Sequence, residues 1–210
     1  MAHRQFELVG GALCLDFVNT VHEYGAADPR EELHSYQDLV AFALQVGAIS
    51  AREAAALVRR AVAHPALAGK TLAAARECRL SLYRIFSAIA GGTRPSGKDL
   101  DIFNRQLPGV LQNLRVQRKG SNVQWTWKNE NGNVERVLWP IVRSAAELLT
   151  SKDLQLVREC GSETCTWLFL DHSKNRTRRW CDMKICGNRA KWRRHYDRVK
   201  KKEPGQRQSN

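Results

Sequence analysis

The sequence predicts an α+β chain: a mainly helical N-terminal domain carrying a small antiparallel β-meander, then a small module pinned by cysteines. Three observations predict it. Between Leu39 and Ile89, apolar residues recur at three- and four-residue steps, the period of helices packed by one face. Between Leu111 and Leu138, short runs rich in Val, Trp and Leu alternate with Gly- and Asn-containing turns, the mark of strands. Further on, Cys160, Cys165, Cys181 and Cys186 form two C-x4-C pairs with 15 residues between them.

The whole chain sets bounds on these elements. Its 210 residues can hold one core of about 150 residues plus an appended module. A 43% hydrophobic content suits a folded protein, and a net charge of +13 favours polyanionic partners. Met1 to Glu7 is polar with no long apolar region after it, which predicts no signal peptide. No run of about 18 apolar residues occurs, so no membrane span is expected. The expected compartment is the cytoplasm, over the nucleoid.

Gly10-Gly11 opens an apolar segment, Ala12 to Val21, with helical spacing of Leu13 and Phe17. Asp16 and Asn19 lie three apart within it and could share one face. They read either as an effector site among apolar walls or as a structural network between elements. Tyr24 to Glu32 reads as loop. Ser35 caps a helix to about Val46, ended by Gly47. Ser50 and Glu53 make a capping box for another, to about His64, where Pro65 stops it. The longest helix runs from about Ala66 to Ala90, its stripe of Leu72, Ala75, Cys78, Leu82, Ile85 and Ile89 marking a central core helix.

After the Gly91-Gly92 stop, a shorter helix from Lys98 to about Leu107 is expected to break at Pro108-Gly109. Leu111–Arg118, Val123–Lys128 and Val134–Leu138 are the three strands of the meander, with turns at residues 120–122 and 129–133. Trp125 and Trp127 fall on one strand face. They suit packing on the helices or the aromatic wall of a small-molecule pocket. A helix from about Ile141 to Thr150 follows, and Ser151 to Asp153 marks the boundary. Leu154 to Arg158 leads on as a short strand. The link is too short for a flexible tether, so the two parts should be positioned against each other.

Paired cysteines flanking a hairpin suit tetrahedral Zn2+, which accepts four thiolates without a redox role. Disulfides are the alternative and fit a cytoplasmic chain poorly. Trp167–Leu170 and Arg178–Trp180 read as the strands of that hairpin, with a turn at His172 to Asn175. Gly187-Asn188 then starts a helix to about Lys202, a treble-clef-like order. One structural zinc ion replaces the core that some 45 residues could not build alone. With four thiolates in place, His172 and His195 are surface or phosphate-contacting groups. Cys14 and Cys78 are left as buried small hydrophobes.

The last helix has two sides. At 100° per residue, Trp192, Tyr196 and Val199 form one stripe, expected to pack on the module against Trp167, Phe169 or Trp180. Opposite lie Ala190, Lys191, Arg194, Arg198 and Lys201, flanked by Arg189, Arg193 and Lys200. Residues 151–210 hold 16 Lys and Arg against 7 Asp and Glu, a surplus of nine out of thirteen. Charge is thus concentrated on the cysteine end, as in a nucleic-acid footprint.

Cys186-Gly187-Asn188-Arg189, preceded by WLFLDHSKNRTRRWC, resembles the CGNR-type zinc finger of bacterial proteins. The N-terminal GGALCLDFVNTV, Gly10 to Val21, resembles the start of the ABATE domain that usually precedes that finger. The resemblance implies a stress-induced transcription regulator that binds DNA. It also implies Cys160, Cys165, Cys181 and Cys186 as the zinc ligands.

The reading is therefore a zinc-dependent regulator. Residues 1–152 would sense a small-molecule effector or dimerise, 153–202 would bind double-stranded DNA, and 203–210 would be a disordered tail. Arg194, Lys191 and Arg198 are expected at base edges; Arg178, Arg179, Arg189, Arg193 and Lys200 at phosphates. A homodimer on a two-fold site follows from DNA logic rather than from a visible dimer motif. The alternative is a non-sequence-specific or RNA-binding zinc protein, with Trp180 and Trp192 stacking on unpaired bases. An enzyme is disfavoured, because four thiolates leave the metal no open position and His22, Glu23, His34 and Asp16 fit no catalytic spacing.

Overall fold

Gly10 and Gly11 let the chain turn tightly onto its first helix. Gly11 has φ 77°, and a Cβ on Gly10 would lie 2.8 Å from Leu15 Cβ. The computed structural model that shows this describes residues 5–128 and 133–202, without the side chains of residues 194, 197 and 199–202. Helix α1 (Leu13–Val18) buries Cys14, Leu15, Phe17 and Val18. The segment read as loop contains a two-rung ladder, β1 (Val21–His22) with β2 (Arg30–Glu31). Two residues per strand are too few to show a period.

Helices α2 (Tyr36–Gln45) and α3 (Ala51–Ala63) start at the expected caps: Ser50 forms the expected box with Glu53, and Ser35 proves to form one too, with Asp38. Gly47, at φ 69°, lets the chain leave α2. Pro65 occupies the first turn of α4 (Pro65–Ala90), where its missing N–H costs nothing. Ala75, Cys78, Leu82, Ile85 and Phe86 on α4 are wholly buried, so it is the core helix the stripe predicted. Arg79 is also buried, 3% exposed. Its guanidinium donates to Thr20 Oγ1 at 2.7 Å and grips both carboxylate oxygens of Glu31. A buried charge needs such pairing, and this pair ties α4 to the β1–β2 ladder.

Pro108-Gly109 does not end a helix. After α5 (Gly97–Asn104), it lies within the first turns of α6 (Leu107–Leu111), where proline is tolerated. The meander is also corrected. Strands β3 (Leu114–Lys119) and β4 (Asn122–Trp127) pair antiparallel as a hairpin, with Val116 opposite Trp125. The third expected strand, Val134–Leu138, is a 3-10 turn that runs into α7 (Trp139–Leu149). Val134, Val137 and Leu138 are all buried, a helical spacing that a strand could not place on one side. Of the expected 129–133 turn, residues 129–132 lie outside the described residues.

A 3-10 turn, Lys152–Leu156, leads into β5 (Val157–Glu159), which pairs antiparallel with β6 (Leu168–Leu170). The last element among the described residues is α8 (Asn188–Lys202). Strand β6 has two partners across its faces. Leu168 and Leu170 join the main core, while Trp167 just before the strand and Phe169 within it pack with the cysteines. That is the alternation of a strand read by two different cores.

Asn19, immediately after α1, locks this arrangement. Its Nδ2 donates to Leu168 O and its Oδ1 accepts from Leu168 N–H, both at 2.9 Å, all buried. The side-chain amide thus completes β6 as a strand neighbour would. Replacing Asn19 by Ala leaves both Leu168 backbone groups buried without partners. We expect Asn19→Ala to cost about 2–4 kcal/mol in urea unfolding, against under about 0.5 kcal/mol for an exposed control such as Arg94→Ala.

Candidate metal centre and nucleic-acid interface

Two turns present the four cysteines. In the first, Cys160 leaves β5 with its N–H donating to Trp167 O at 2.9 Å, and Cys165 N–H closes onto Ser162 O at 3.1 Å. In the second, Asp182 Oδ1 accepts from Lys184 and Ile185 N–H at 2.6 and 2.9 Å. That cap starts a wide turn, Met183–Gly187, which delivers Cys186 to the foot of α8. Gly187 serves space rather than φ: a Cβ there would lie 2.5 Å from Met183 Sδ and 3.3 Å from Trp180 Cδ1.

The four sulfurs lie within 4.8 Å of one another, and no disulfide forms among them. Cys181 Sγ is 3.7 Å from Cys165 Sγ and 3.6 Å from Cys186 Sγ. A tetrahedral ion with Zn–S bonds of about 2.3 Å requires S···S edges of about 3.8 Å. The cluster therefore fits one structural Zn2+ and leaves no ligand position over. The sulfurs act on one another: hydrogen bonds from the Cys165 and Cys181 thiols hold the Cys160 thiol far below its ordinary range, while Cys160 and Cys165 push Cys181 up. A divalent ion stabilises all four thiolates at once and displaces their protons. Cys14 and Cys78, fully buried elsewhere, are each pushed up to about 12 by burial, as suits inert core thiols.

Arg178–Trp180 is not a strand. The strand that pairs with β6 is β5, ahead of the first turn, because β5 carries the apolar Val157 into the main core. The return segment is held piecewise instead. Gly161 N–H donates to Arg179 O at 2.8 Å. Arg178 lies 4.4 Å over the Phe169 ring and donates to Trp180 O and Cys181 O. Buried Asp171 accepts from Arg178 N–H at 3.0 Å and from Ser173 Oγ at 2.6 Å. Sequence reasoning missed this bracing role of Asp171.

The apolar stripe of α8 does not pack on the module. Trp192 is 75% exposed and Tyr196 59%, and the side chain of Val199 lies outside the described ones. The helix meets the module at its foot, against the Met183–Gly187 turn, where Ala190 is half-buried, and beyond it the described side chains are exposed. Lys191, Arg193, Arg198 and His195 are exposed, as is His172. Arg189 donates to Thr164 Oγ1 at 2.8 Å and Arg193 pairs with Glu163, so both basic residues brace the helix foot on the first turn. Arg179 lies 5.3 Å over the Trp180 ring. The side chains of Arg194 and Lys200 and the whole of the 203–210 tail lie outside the described residues.

The residues offered as an effector site are apart. Asp16 accepts from Gly10 N–H at 2.7 Å, and burial raises its carboxyl to about 6 against the pull of that bond and of Val9 N–H. Asn19 is committed to Leu168. Trp127 packs 5.6 Å from Trp139, and Trp125 is half exposed under the Arg143 guanidinium. A cleft of about 320 Å³ opens elsewhere, between β1–β2 and the cysteine turns, lined by His22, Arg30, Cys165, Trp167 and Arg189 among others. Nothing local in the sequence signals it, because its walls come from opposite ends of the chain.

A helical domain joined through a shared strand to a four-cysteine zinc module defines a zinc-finger protein with a large N-terminal partner domain. Residues 11–152 match the ABATE family, described as "Putative stress-induced transcription regulator", and residues 157–199 match the CGNR zinc finger. The chain belongs to the ABATE family, with a CGNR zinc finger following that domain. Both are regulatory or zinc-finger families rather than enzymes. No curated protein matches the chain. Among the described residues, no helix is long and apolar enough to cross a membrane.

Metal analysis of the purified protein should return one zinc per chain. Cys186→Ser should lower that figure to below about a tenth, and a strong chelator should remove zinc with loss of the Trp167 and Trp180 near-ultraviolet signal. Retained stoichiometric zinc in Cys186→Ser would contradict the four-sulfur site.

Proposed function

We propose that this regulatory zinc protein binds double-stranded DNA through α8, with residues 1–152 as a sensing or dimerising domain and 153–202 as the DNA-binding module. The supporting observation is that α8 starts at the last cysteine turn and leaves Lys191, His195 and Arg198 exposed. The zinc site sets where the helix begins; the helix carries the charge. A helix with small and basic residues outward enters a major groove, where Arg bridges guanine O6 and N7.

Lys191, Arg194 and Arg198 take base edges. Arg179, Arg189, Arg193 and Lys200 neutralise phosphates, with the Arg189 and Arg193 head groups already steered by Thr164 and Glu163. Arg178 holds the return segment by two of its nitrogens and adds only its remaining edge to the phosphate side. The protein acts on the nucleoid as a non-catalytic regulator, and its effector enters the N-terminal domain. Two copies on a two-fold site would extend the short stretch that one module reads.

The uncovered Trp192 and Tyr196 favour a second reading, in which those rings stack on unpaired bases of single-stranded RNA. Fluorescence anisotropy separates the two. On a duplex selected from a random pool, Arg194→Ala should cut the preference over random duplex roughly tenfold or more, while Lys200→Ala weakens both equally. Competition by single-stranded RNA at lower concentration than duplex, with Trp192→Ala abolishing it, would move the function to the second reading.

A further inference from the structure

The β3–β4 hairpin is the least covered part of the N-terminal domain. Every residue from Arg115 to Trp125 is exposed. Its base is nonetheless fixed. Lys128 N–H donates to Asn113 O at 2.8 Å, and buried Asn113 donates from Nδ2 to Gly109 O at 2.8 Å. Trp127 packs on Trp139 at 5.6 Å. Two six-residue strands make an arm about 20 Å long.

The arm is amphipathic in an unusual sense. Val116, Val123 and Trp125 share one face and are 60%, 68% and 51% exposed. An uncovered patch of this kind marks a contact surface. Residues 111–128 contain Arg115, Arg118, Lys119 and Lys128 and no acidic residue. Arg118 shares the apolar face, while Arg115 and Lys119 stand on the opposite one, so both faces of the ribbon carry positive charge. A polyanion meets the same charges favourably, and a DNA groove admits a two-stranded ribbon.

We propose that the β3–β4 hairpin is a second DNA contact, a basic ribbon laid along the duplex beside the site of the zinc module. The ribbon lies edge-on in the groove: Val116, Val123 and Trp125 cover the sugar edges of one strand with Arg118 at its phosphates, and Arg115 and Lys119 on the other face neutralise phosphates of the opposite strand. The inference rests on the reading of the chain as a DNA-binding protein, extends it to the domain otherwise assigned to sensing, and lengthens the footprint of a single chain.

The test uses the full-length zinc-loaded protein with Arg115, Arg118 and Lys119 all changed to Gln. These residues are exposed, so zinc content and circular dichroism should match the parent. Duplex affinity is measured by anisotropy from about 50 to 200 mM salt. Each phosphate no longer neutralised should flatten the slope of log K against log salt by about 0.9, so the slope falls by roughly 2 to 3, with affinity down at least tenfold at the low end. A parallel Lys191→Ala, Lys200→Ala variant reports on α8 alone. An unchanged slope in the hairpin variant, with the α8 variant weakened, overturns this inference and leaves the α8 reading standing. The reverse result keeps the hairpin contact and removes the helix. A dimer in sedimentation that Val123→Ser, Trp125→Ser dissociates, with duplex affinity intact, makes the face an interface between copies and overturns the proposal.

Discussion

One strand answers to two cores. Leu168 and Leu170 are buried with the helices, and Phe169 between them is buried with the cysteines. Because side chains alternate along a strand, neither core can shift without moving the other. The zinc module is too small to make its own core, and β6 lends it the main domain as a foundation. The direction of α8 follows, since its foot is set by Cys186 and the Met183–Gly187 turn, and the cysteines are set by β5 and β6.

This arrangement also explains the polar groups buried at the junction. Asn19 supplies the hydrogen bonds of a strand that is not there. Trp167 Nε1 donates to Val21 O at 3.2 Å, and Tyr24 N–H to Thr166 Oγ1 at 3.1 Å. On the other side, Ser87 Oγ and Tyr83 Oη on α4 both donate to Glu159 of β5, at 2.6 and 3.3 Å. An apolar junction of the same area could slide. Bonds of this kind specify one register, and each is costly to leave unmade. The cleft between β1–β2 and the cysteine turns borders the same junction and reaches the helix foot at Arg189.

The sequence-level reading failed where the deciding contacts are distant. Val134–Leu138 has strand-like composition, but its buried residues face α7 and the core as a 3-10 turn. Arg178–Trp180 has the right residues for a strand and no open ladder to join, because β5 already holds β6. The Trp192–Tyr196 stripe has helical period, but period says only that two residues share a side, not that anything covers it. For Asp16 and Asn19 two readings stood open, and their bonds to Gly10 and Leu168 are those of the structural network.

The sequence by itself determined the local features: the Ser35 cap and the Ser50–Glu53 capping box, the long buried stripe of α4, and four cysteines whose spacing and neighbours specify a zinc site. These depend on residues a few positions apart, or on a metal that gathers its own ligands. Only the tertiary structure decided which strand pairs with β6, that the hairpin stands uncovered, and that the rings of α8 are exposed. Each of those outcomes depends on surfaces distant in the chain or on whether a neighbour covers a face, and neither leaves a period in the sequence.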